Sequence, residues 1–283
     1  MPEVLSADVR TCLNCEAPLA GPYCSACGQR DEPPDLPLRR VLAGFAGDLF
    51  SFDGRVLQTL GILIRRPGEL SRDWAAGRRA RHVAPFRLYL LCSLVFVGFS
   101  ASYELAKSVM DPPSAETAEE DAAERRETLR GPVPPAKVER VADYLDAMLA
   151  LGSRWFFVLM PLGGFGLYVF YHFRRPAYTA HFVLAIHVFC VVVLLLAARR
   201  LTQLVALVAI GDTLGHSFGV ANWAVLGACF VASYVYAALA IRRFYGVSIL
   251  KALASAPAVT VGPVVAWMVI FATGMLVVVA LPS

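Results

Sequence analysis

Long apolar blocks, separated by short basic segments, dominate the pattern of hydrophobic and polar positions along this chain. The first block, residues 86–103, carries no charge except Arg87 near its start and is long enough to cross a bilayer as a helix. Four similar blocks follow, at about residues 155–173, 178–198, 220–241 and 258–281. The pattern therefore predicts an all-α polytopic membrane protein with about five transmembrane helices.

The composition supports this prediction. Hydrophobic residues make up 57% of the chain and charged residues only 17%, whereas soluble domains are nearer half apolar and a quarter charged. The net charge of +4 is too small and too unevenly spread to indicate a nucleic-acid partner. The first thirty residues contain no apolar segment of the kind found in cleavable signal peptides, so we expect the N-terminus to stay in the cytosol.

Four of the seven cysteines occur close together, in two Cys-x-x-Cys pairs. This spacing favours a tetrahedral Zn²⁺ site with four thiolate ligands, Cys12, Cys15, Cys24 and Cys27. Two disulfides or a redox-active pair are the alternatives, and neither fits a reducing cytosol. Because protein would fill all four coordination positions, we expect a structural zinc ion that folds a small ribbon over residues 1–30.

The residues between this ribbon and the first span, which we call the collar (residues 31–84), predict short amphipathic helices. Apolar residues recur at helical spacing from Leu38 to Leu63, and a Pro-Gly turn precedes a second short helix with Trp74. Such helices either lie on the inner leaflet or pack on the cytosolic ends of the spans. We expect anionic headgroups to bind basic residues in and just after the collar, namely Arg66, Arg78, Arg79, Arg81 and Arg87.

Lysines and arginines set the expected direction of the spans. With a cytosolic N-terminus, 17 of the 26 basic residues fall in predicted cytosolic segments and 9 in outer segments, as the positive-inside rule requires. The C-terminus then lies in the periplasm. Arg199 and Arg200 oppose the rule locally, so either the third span is long and projects outwards or residues 201–218 are re-entrant. The predicted divisions are the ribbon, the collar, the first span (85–105), an acidic and proline-rich periplasmic loop (106–154) and a four-helix remainder (155–283).

Ionisable residues inside predicted spans are candidates for function because they are costly to place in lipid. His181 and His187 lie about 120° apart on one helix, so they cannot bind one metal ion without a third element. His172 could approach His181 across a short turn. A polar site built on His172, His181 and His187 would be a proton relay or an intramembrane metal site, and interhelical hydrogen bonding is the alternative. Pro161 and nearby glycines indicate either close helix packing or a broken helix at a substrate site.

Further short motifs accompany the cysteine pairs: Cys12-x-Asn-Cys15, Gly21-Pro-Tyr-Cys24-x-x-Cys27-Gly-Gln29, Arg66-Pro67-Gly68, Gly77-Arg78-Arg79, Pro85-Phe86 and His181-Phe-Val-Leu-Ala-Ile-His187. With these motifs the chain resembles a bacterial family of zinc-ribbon multipass membrane proteins that is catalogued only as a domain of unknown function. In that family an acidic residue often precedes the first histidine, whereas here Ala180 does. The resemblance implies a membrane location and the ribbon, and it implies no activity.

Three functional hypotheses follow. The sequence has no phosphate-binding loop, zinc-protease motif or nucleophile elbow, which favours a non-enzymatic protein. The first hypothesis is therefore a scaffold or sensor of the bacterial inner membrane, whose ribbon and collar bind an unknown protein partner or the lipid bilayer. The alternatives are a small transporter that uses His181 and His187 and assembles as a homo-oligomer, and a membrane-embedded enzyme acting on lipid-linked substrates.

Overall fold

The computed structural model describes residues 10–40, 54–110, 141, 155–175, 177–210 and 215–280. The named helices in these residues are α1 (Arg55–Arg65), α2 (Glu69–Ala75), α3 (Pro85–Met110), α4 (Trp155–Tyr171), α5 (Tyr178–Ile210), α6 (Gly215–Tyr245), α7 (Ile249–Ser255), α8 (Pro257–Thr260) and α9 (Gly262–Ala280). The predicted all-α class is thus confirmed. Most of the predicted periplasmic loop and the first half of the collar's long amphipathic pattern lie outside the described residues.

Within the described residues, four helical stretches are long and apolar enough to cross a membrane: Pro85–Met110, Tyr178–Ala209, Asn222–Tyr245 and Ile249–Val277. The last of these comprises α7, α8 and α9 together. The predicted second span appears as α4, an apolar helix of 17 residues, which is slightly shorter than the roughly 20 residues of a typical span. The apolar helices indicate a membrane protein, and four of the five predicted crossings have the length of a full span.

α5 is the central helix of the bundle. It is the most buried of the four spans and contacts α3, α4 and α6. The helix continues without a break through Arg199 and Arg200 to Ile210, so residues 201–210 extend the third span and are not re-entrant. This outcome agrees with the first of the two predicted alternatives.

The two arginines of α5 occur where the helix has spanned the bilayer core. Arg199 lies roughly 32 Å along the helix axis from Tyr178, and the hydrocarbon layer is about 30 Å thick. The Arg199 side chain donates a hydrogen bond to Asn222 Oδ1 at 2.7 Å, and an Arg200 nitrogen lies 3.7 Å from a Glu104 oxygen. Both local exceptions to the positive-inside rule therefore have polar partners on neighbouring helices.

The collar packs against α5 and α6 at one end of the bundle, which we call the collar end. The Tyr236 hydroxyl on α6 donates a hydrogen bond to the carbonyl oxygen of Leu63 at the end of α1, over 2.8 Å. Ser71 Oγ on α2 lies 2.8 Å from His187 Nδ1 on α5. Packing on the ends of the spans, one of the two predicted arrangements, is therefore present. Leu57 and Ile64, on the outer side of α1, remain exposed.

Glycines bring α4 close to its neighbours. A Cβ atom at Gly164 would lie 2.9 Å from the Cα atom of Phe182, and one at Gly166 would lie 2.7 Å from the carbonyl oxygen of Ala258. α4 also runs unbroken past Pro161. The small residues of this span thus serve close helix packing, and a broken helix at a substrate site is not found within α4.

The turn between α1 and α2 depends on Gly68, as the predicted Pro-Gly turn requires. Gly68 has φ = 80°, and a Cβ atom there would lie 2.5 Å from the carbonyl oxygen of Ala240 on α6. Both the left-handed backbone and the close approach favour glycine. This turn sets the angle at which the collar meets α6.

Gly68→Ala is expected to destabilise the protein by at least about 1 kcal/mol, because alanine opposes a left-handed backbone and its Cβ would displace α6. The matched control is Gly61→Ala, where a Cβ meets nothing within 4 Å and alanine favours the helix. Thermal unfolding of both variants in one detergent measures the difference. Equal unfolding temperatures for the two variants would contradict this role of Gly68.

Candidate metal centre and adjoining cavity

Two similar turns form the N-terminal part of the described chain, residues 10–30, which we call the cysteine module. One antiparallel bridge closes each turn, between Thr11 and Pro18 in the first and between Tyr23 and Arg30 in the second. Each turn holds one Cys-x-x-Cys pair. Facing turns of this kind place four thiols around one point.

The four predicted metal ligands meet at that point. The Sγ atoms of Cys12, Cys15, Cys24 and Cys27 all lie within 4.8 Å of one another. The Cys12–Cys27 and Cys15–Cys24 sulfur distances are 3.6 and 3.5 Å, close to the roughly 3.8 Å expected between sulfurs bound tetrahedrally at about 2.3 Å from one ion. These distances exclude disulfides, and all seven cysteines are free thiols. The donor set therefore fits a single metal ion.

Hydrogen bonds give the thiols of the module different pKa values. Burial raises the pKa of Cys27, but hydrogen bonds, first among them one with the Gln29 backbone, lower that pKa to about 7. A backbone hydrogen bond from Ala17 lowers the pKa of Cys15, but its interactions with the other three thiols outweigh this and raise it to about 12. A metal ion must therefore displace protons from the module, so its affinity rises with pH.

The residue after the second cysteine of each pair adopts the left-handed conformation. In the second turn it is Gly28, with φ = 73°; in the first turn it is Glu16, with φ = 63°. A side chain at such a position costs about 1 kcal/mol or more. The first turn is therefore the more strained of the two.

Gln29 attaches the cysteine module to the α2–α3 loop (residues 76–84). Its Nε2 donates to the carbonyl oxygen of Gly77 at 2.7 Å, and its Oε1 accepts from the backbone N–H groups of Arg79 and Ala80 at 2.9 and 3.0 Å. Leu13 packs beside Gly77, where a Cβ atom would lie 2.5 Å from its Cδ1 atom. Sequence reasoning placed Gln29 in a motif but did not identify these contacts.

Asp73 on α2 organises the other side of the same loop. Its carboxylate accepts hydrogen bonds from Arg78 Nε and Nη2 at 2.9 and 2.7 Å, and it contacts His82 Nε2 at 2.9 Å. Burial raises the pKa of the Asp73 carboxyl, but the hydrogen bonds from His82 and Arg78 outweigh burial and lower the pKa below its usual value. Through Arg78 and His82, Asp73 therefore attaches both ends of the loop to α2.

The five arginines predicted to bind the membrane surface occupy two different environments. Arg66 and Arg81 are exposed, and Arg66 pairs with Glu69 at 3.0 Å. Arg78, Arg79 and Arg87 instead line a cavity. The side chains of Arg78, Arg79 and Arg87 therefore border an internal cavity of the collar end as well as its surface.

The cavity lies between the cysteine module, α2 and the start of α3, and its volume is about 440 Å³. Arg79 crosses one side of it, with its guanidinium carbon 4.6 Å from the ring centroid of Trp74. Burial lowers the pKa of Arg79, although Glu32 and Asp35 oppose that shift. The predicted interfacial Trp74 is buried against this cation and not exposed to lipid.

His181 and His187 make separate contacts, whereas His172 and His181 both contact the Tyr168 ring, with centroid distances of 5.5 Å. His187 borders the cavity and contacts Ser71. His181 lies near the start of α5, where it contacts the Tyr245 hydroxyl at 2.5 Å and the Arg175 carbonyl oxygen at 2.7 Å. His172 is partly exposed. The contacts of His181 and His187 are the interhelical hydrogen bonds that the sequence offered as one alternative.

Glu16→Gly is expected to stabilise the metal-bound module by about 1 kcal/mol, because glycine removes the strain of the left-handed position. Gly28→Ala is the matched opposite change, and we expect it to weaken the module. Competition for Zn²⁺ with a chelating dye measures both effects. The interpretation is wrong if the two variants shift the Zn²⁺ affinity in the same direction.

Asp73→Asn is expected to destabilise the collar by about 1–3 kcal/mol at neutral pH, because a buried charged hydrogen-bond acceptor is lost. Since folding lowers the pKa of Asp73, its contribution is complete above the unfolded value near 4 and is lost as pH falls through the lower folded value. Thermal unfolding of the wild type and the variant should therefore converge below about pH 4. A constant difference between them down to about pH 3 would contradict this assignment.

Comparison with known proteins supports the predicted resemblance. Residues 53–97 match the model of a family described as "Protein of unknown function (DUF3667)". The match covers α1, α2, the α2–α3 loop and the first half of α3, and it stops short of the cysteine module. No curated protein and no solved structure matches the chain. The resemblance is therefore to a family catalogued as a domain of unknown function, and the matched part includes most of the residues that line the cavity.

Proposed function

We propose that this protein is a scaffold or sensor of the bacterial inner membrane, in which a structural zinc ribbon fixes the collar at the cytosolic face. The observation that carries this proposal is the contact between Gln29 and the α2–α3 loop. Three hydrogen bonds from one side chain join the metal centre to the segment that carries Arg78 and Arg79. A change at the metal would thus reach the collar through Gln29.

Zinc is the ion that this donor set favours. Four thiolates at tetrahedral spacing, with no oxygen ligand, are typical of structural zinc sites. The module is also too small to bury an apolar core, so metal binding would supply its folding free energy. Loss of zinc would therefore unfold the module and release Gln29 from the loop.

The distribution of basic residues supports a cytosolic collar end. The C-terminal ends of α4 and α6 meet there, since Arg174 donates to the carbonyl oxygen of Tyr245. Arg174, Arg175, Arg242 and Arg243 flank these ends in addition to the arginines of the collar. The positive-inside rule assigns such an end to the cytosol. This orientation leaves the C-terminus in the periplasm.

The cysteine module and α1 would supply the contacts with partners. Tyr23 is 60% exposed on the module, and an exposed aromatic residue on a small rigid domain suits contact with an unknown protein partner. The outer face of α1 exposes Leu57 and Ile64 beside Arg66. Apolar and basic residues together suit the anionic surface of the inner leaflet.

A transporter and an enzyme have less support. His181 and His187 make separate hydrogen bonds, and His187 alone of these two borders the cavity. Among the described residues, Glu32 is the one carboxylate that lines the cavity, and it is paired with Arg30 and Arg40 at 3.6 and 3.8 Å. The scaffold or sensor remains the proposal that most contacts support.

Gln29→Ala in the full-length, zinc-loaded protein tests the coupling. We expect amide hydrogen exchange at Arg79 and Ala80 to become about one to two orders of magnitude faster, because both N–H groups lose their acceptor. Removal of zinc by a chelator should reproduce this change. Gln58→Ala, at an exposed glutamine on α1, is the matched control and should leave the exchange unchanged.

Zinc content distinguishes the possible outcomes of this experiment. Gln29→Ala should retain zinc, because the ligands are untouched. If chelation unfolds the module while exchange at Arg79 and Ala80 stays slow, the metal does not control the collar and the proposed function is wrong.

A further inference from the structure

The cavity beside the cysteine module has a strong excess of positive charge. Glu32 is its one acidic lining residue in the described chain, whereas the lining includes five arginines, Arg30, Arg55, Arg78, Arg79 and Arg87. His82 and His187 add two imidazoles. A volume of about 440 Å³ lies within the range of small-ligand sites. Charge and size together suit a small anion.

Part of this charge is already balanced within the protein. Arg30 lies 3.6 Å from Glu32, and Arg78 is paired with Asp73. Arg79 donates to the backbone carbonyl oxygens of Pro33 and Pro34, which do not neutralise it. Arg87 has no acidic partner among the described residues. Among the described residues, Arg79 and Arg87 therefore have no salt-bridge partner of their own, although Glu32 and Asp35 act electrostatically on Arg79.

Three nitrogen atoms around the cavity are buried without a hydrogen-bond partner in the described chain: Arg79 Nε, His82 Nδ1 and Arg87 Nε. The His82 side chain is only 10% exposed, and its other ring nitrogen is held by Asp73. Buried polar groups of this kind are costly unless they are paired. The residues that carry these nitrogens all line the cavity, Arg79 and His82 from the loop and Arg87 from α3.

We propose that this cavity binds a phosphate group. Guanidinium groups match the oxygens of phosphate in geometry and charge. His82 Nδ1 donates to a phosphate oxygen when the imidazole is charged, and it accepts from a protonated phosphate oxygen when the imidazole is neutral. The stacking on Trp74 and the bonds to Pro33 and Pro34 hold Arg79 in place beforehand, which limits the entropy lost on binding.

The position of the cavity allows two sources of phosphate. It lies at the start of α3, where the first span enters the membrane, so an anionic lipid headgroup can reach it from the bilayer. A soluble phosphate compound can reach it from the aqueous side. Both sources present the same group to Arg79, His82 and Arg87, and a direct comparison of ligands separates them.

Binding of two probes to the full-length, zinc-loaded protein in a neutral detergent tests the proposal. The probes are inorganic phosphate and short-chain phosphatidic acid, and their affinities are obtained from the ligand dependence of thermal unfolding. We expect Arg87→Gln to weaken binding by about tenfold to a hundredfold, because a charged donor is lost. Arg87→Lys, which keeps the charge, should retain most of the affinity.

Arg72→Gln is the matched control, because Arg72 lies on α2, which borders the cavity, is exposed and does not line the cavity. It changes the net charge equally and should leave the affinity unchanged. Binding of phosphatidic acid alone identifies a lipid headgroup, and comparable binding of both probes identifies soluble phosphate. The proposal is overturned if neither probe binds, or if Arg72→Gln and Arg87→Gln weaken binding equally.

This inference is independent of the proposed role of zinc. Arg87→Gln leaves the cysteine ligands and Gln29 unchanged, so zinc content and slow exchange at Ala80 should persist in that variant. A cavity that binds no phosphate would therefore leave the proposed coupling intact. Conversely, if amide hydrogen exchange at Arg79 and Ala80 does not depend on zinc, the proposed coupling fails but the phosphate-binding proposal still stands.

Discussion

Buried polar side chains of the spans, such as those of His187 and Tyr236, must be paired inside the protein, because lipid offers them no partners. The collar supplies those partners. Ser71 meets His187, and the carbonyl oxygen of Leu63 accepts from Tyr236. These hydrogen bonds fix α1 and α2 on the ends of α5 and α6, and the close approach of Gly68 to Ala240 fixes their distance. The cavity and the attachment of the cysteine module both depend on this placement.

A continuous set of contacts then leads from the metal ligands to the membrane. Cys27 lies two residues before Gln29, which binds the backbone of Arg79 and Ala80. The Arg79 side chain stacks on Trp74, and α2 in turn contacts α5. The arginines of the loop differ in how their charge is balanced. Asp73 neutralises one side of the loop, whereas the cavity on the other side retains positive charge. The cysteine module thereby occupies a position from which it can stabilise the basic loop between α2 and α3.

Local patterns in the sequence predicted the local features of this structure. Paired cysteines, the Pro-Gly turn at Gly68, the short helix that follows it and the apolar spans are each encoded within a few neighbouring residues. The inward orientation of Arg78, Arg79 and Arg87 was not predicted, because a basic residue beside a span is equally suited to lipid headgroups. The partners of Gln29, Asp73 and His187 lie up to 116 residues away. Such contacts arise from tertiary packing, which one sequence does not reveal, and no signal distinguished Gln29 from any other polar residue in a turn.

The account requires the cysteine module, the collar and the spans to form one body. A distance measurement by double electron–electron resonance tests this, with ketone-bearing residues replacing Tyr23 on the module and Leu250 on α7 as sites for spin labels, so that the native cysteines are left unlabelled. Both positions are exposed. In zinc-loaded protein reconstituted into bilayers, the account predicts a single narrow distance distribution. A broad distribution, as given by a domain on a flexible tether, would contradict it.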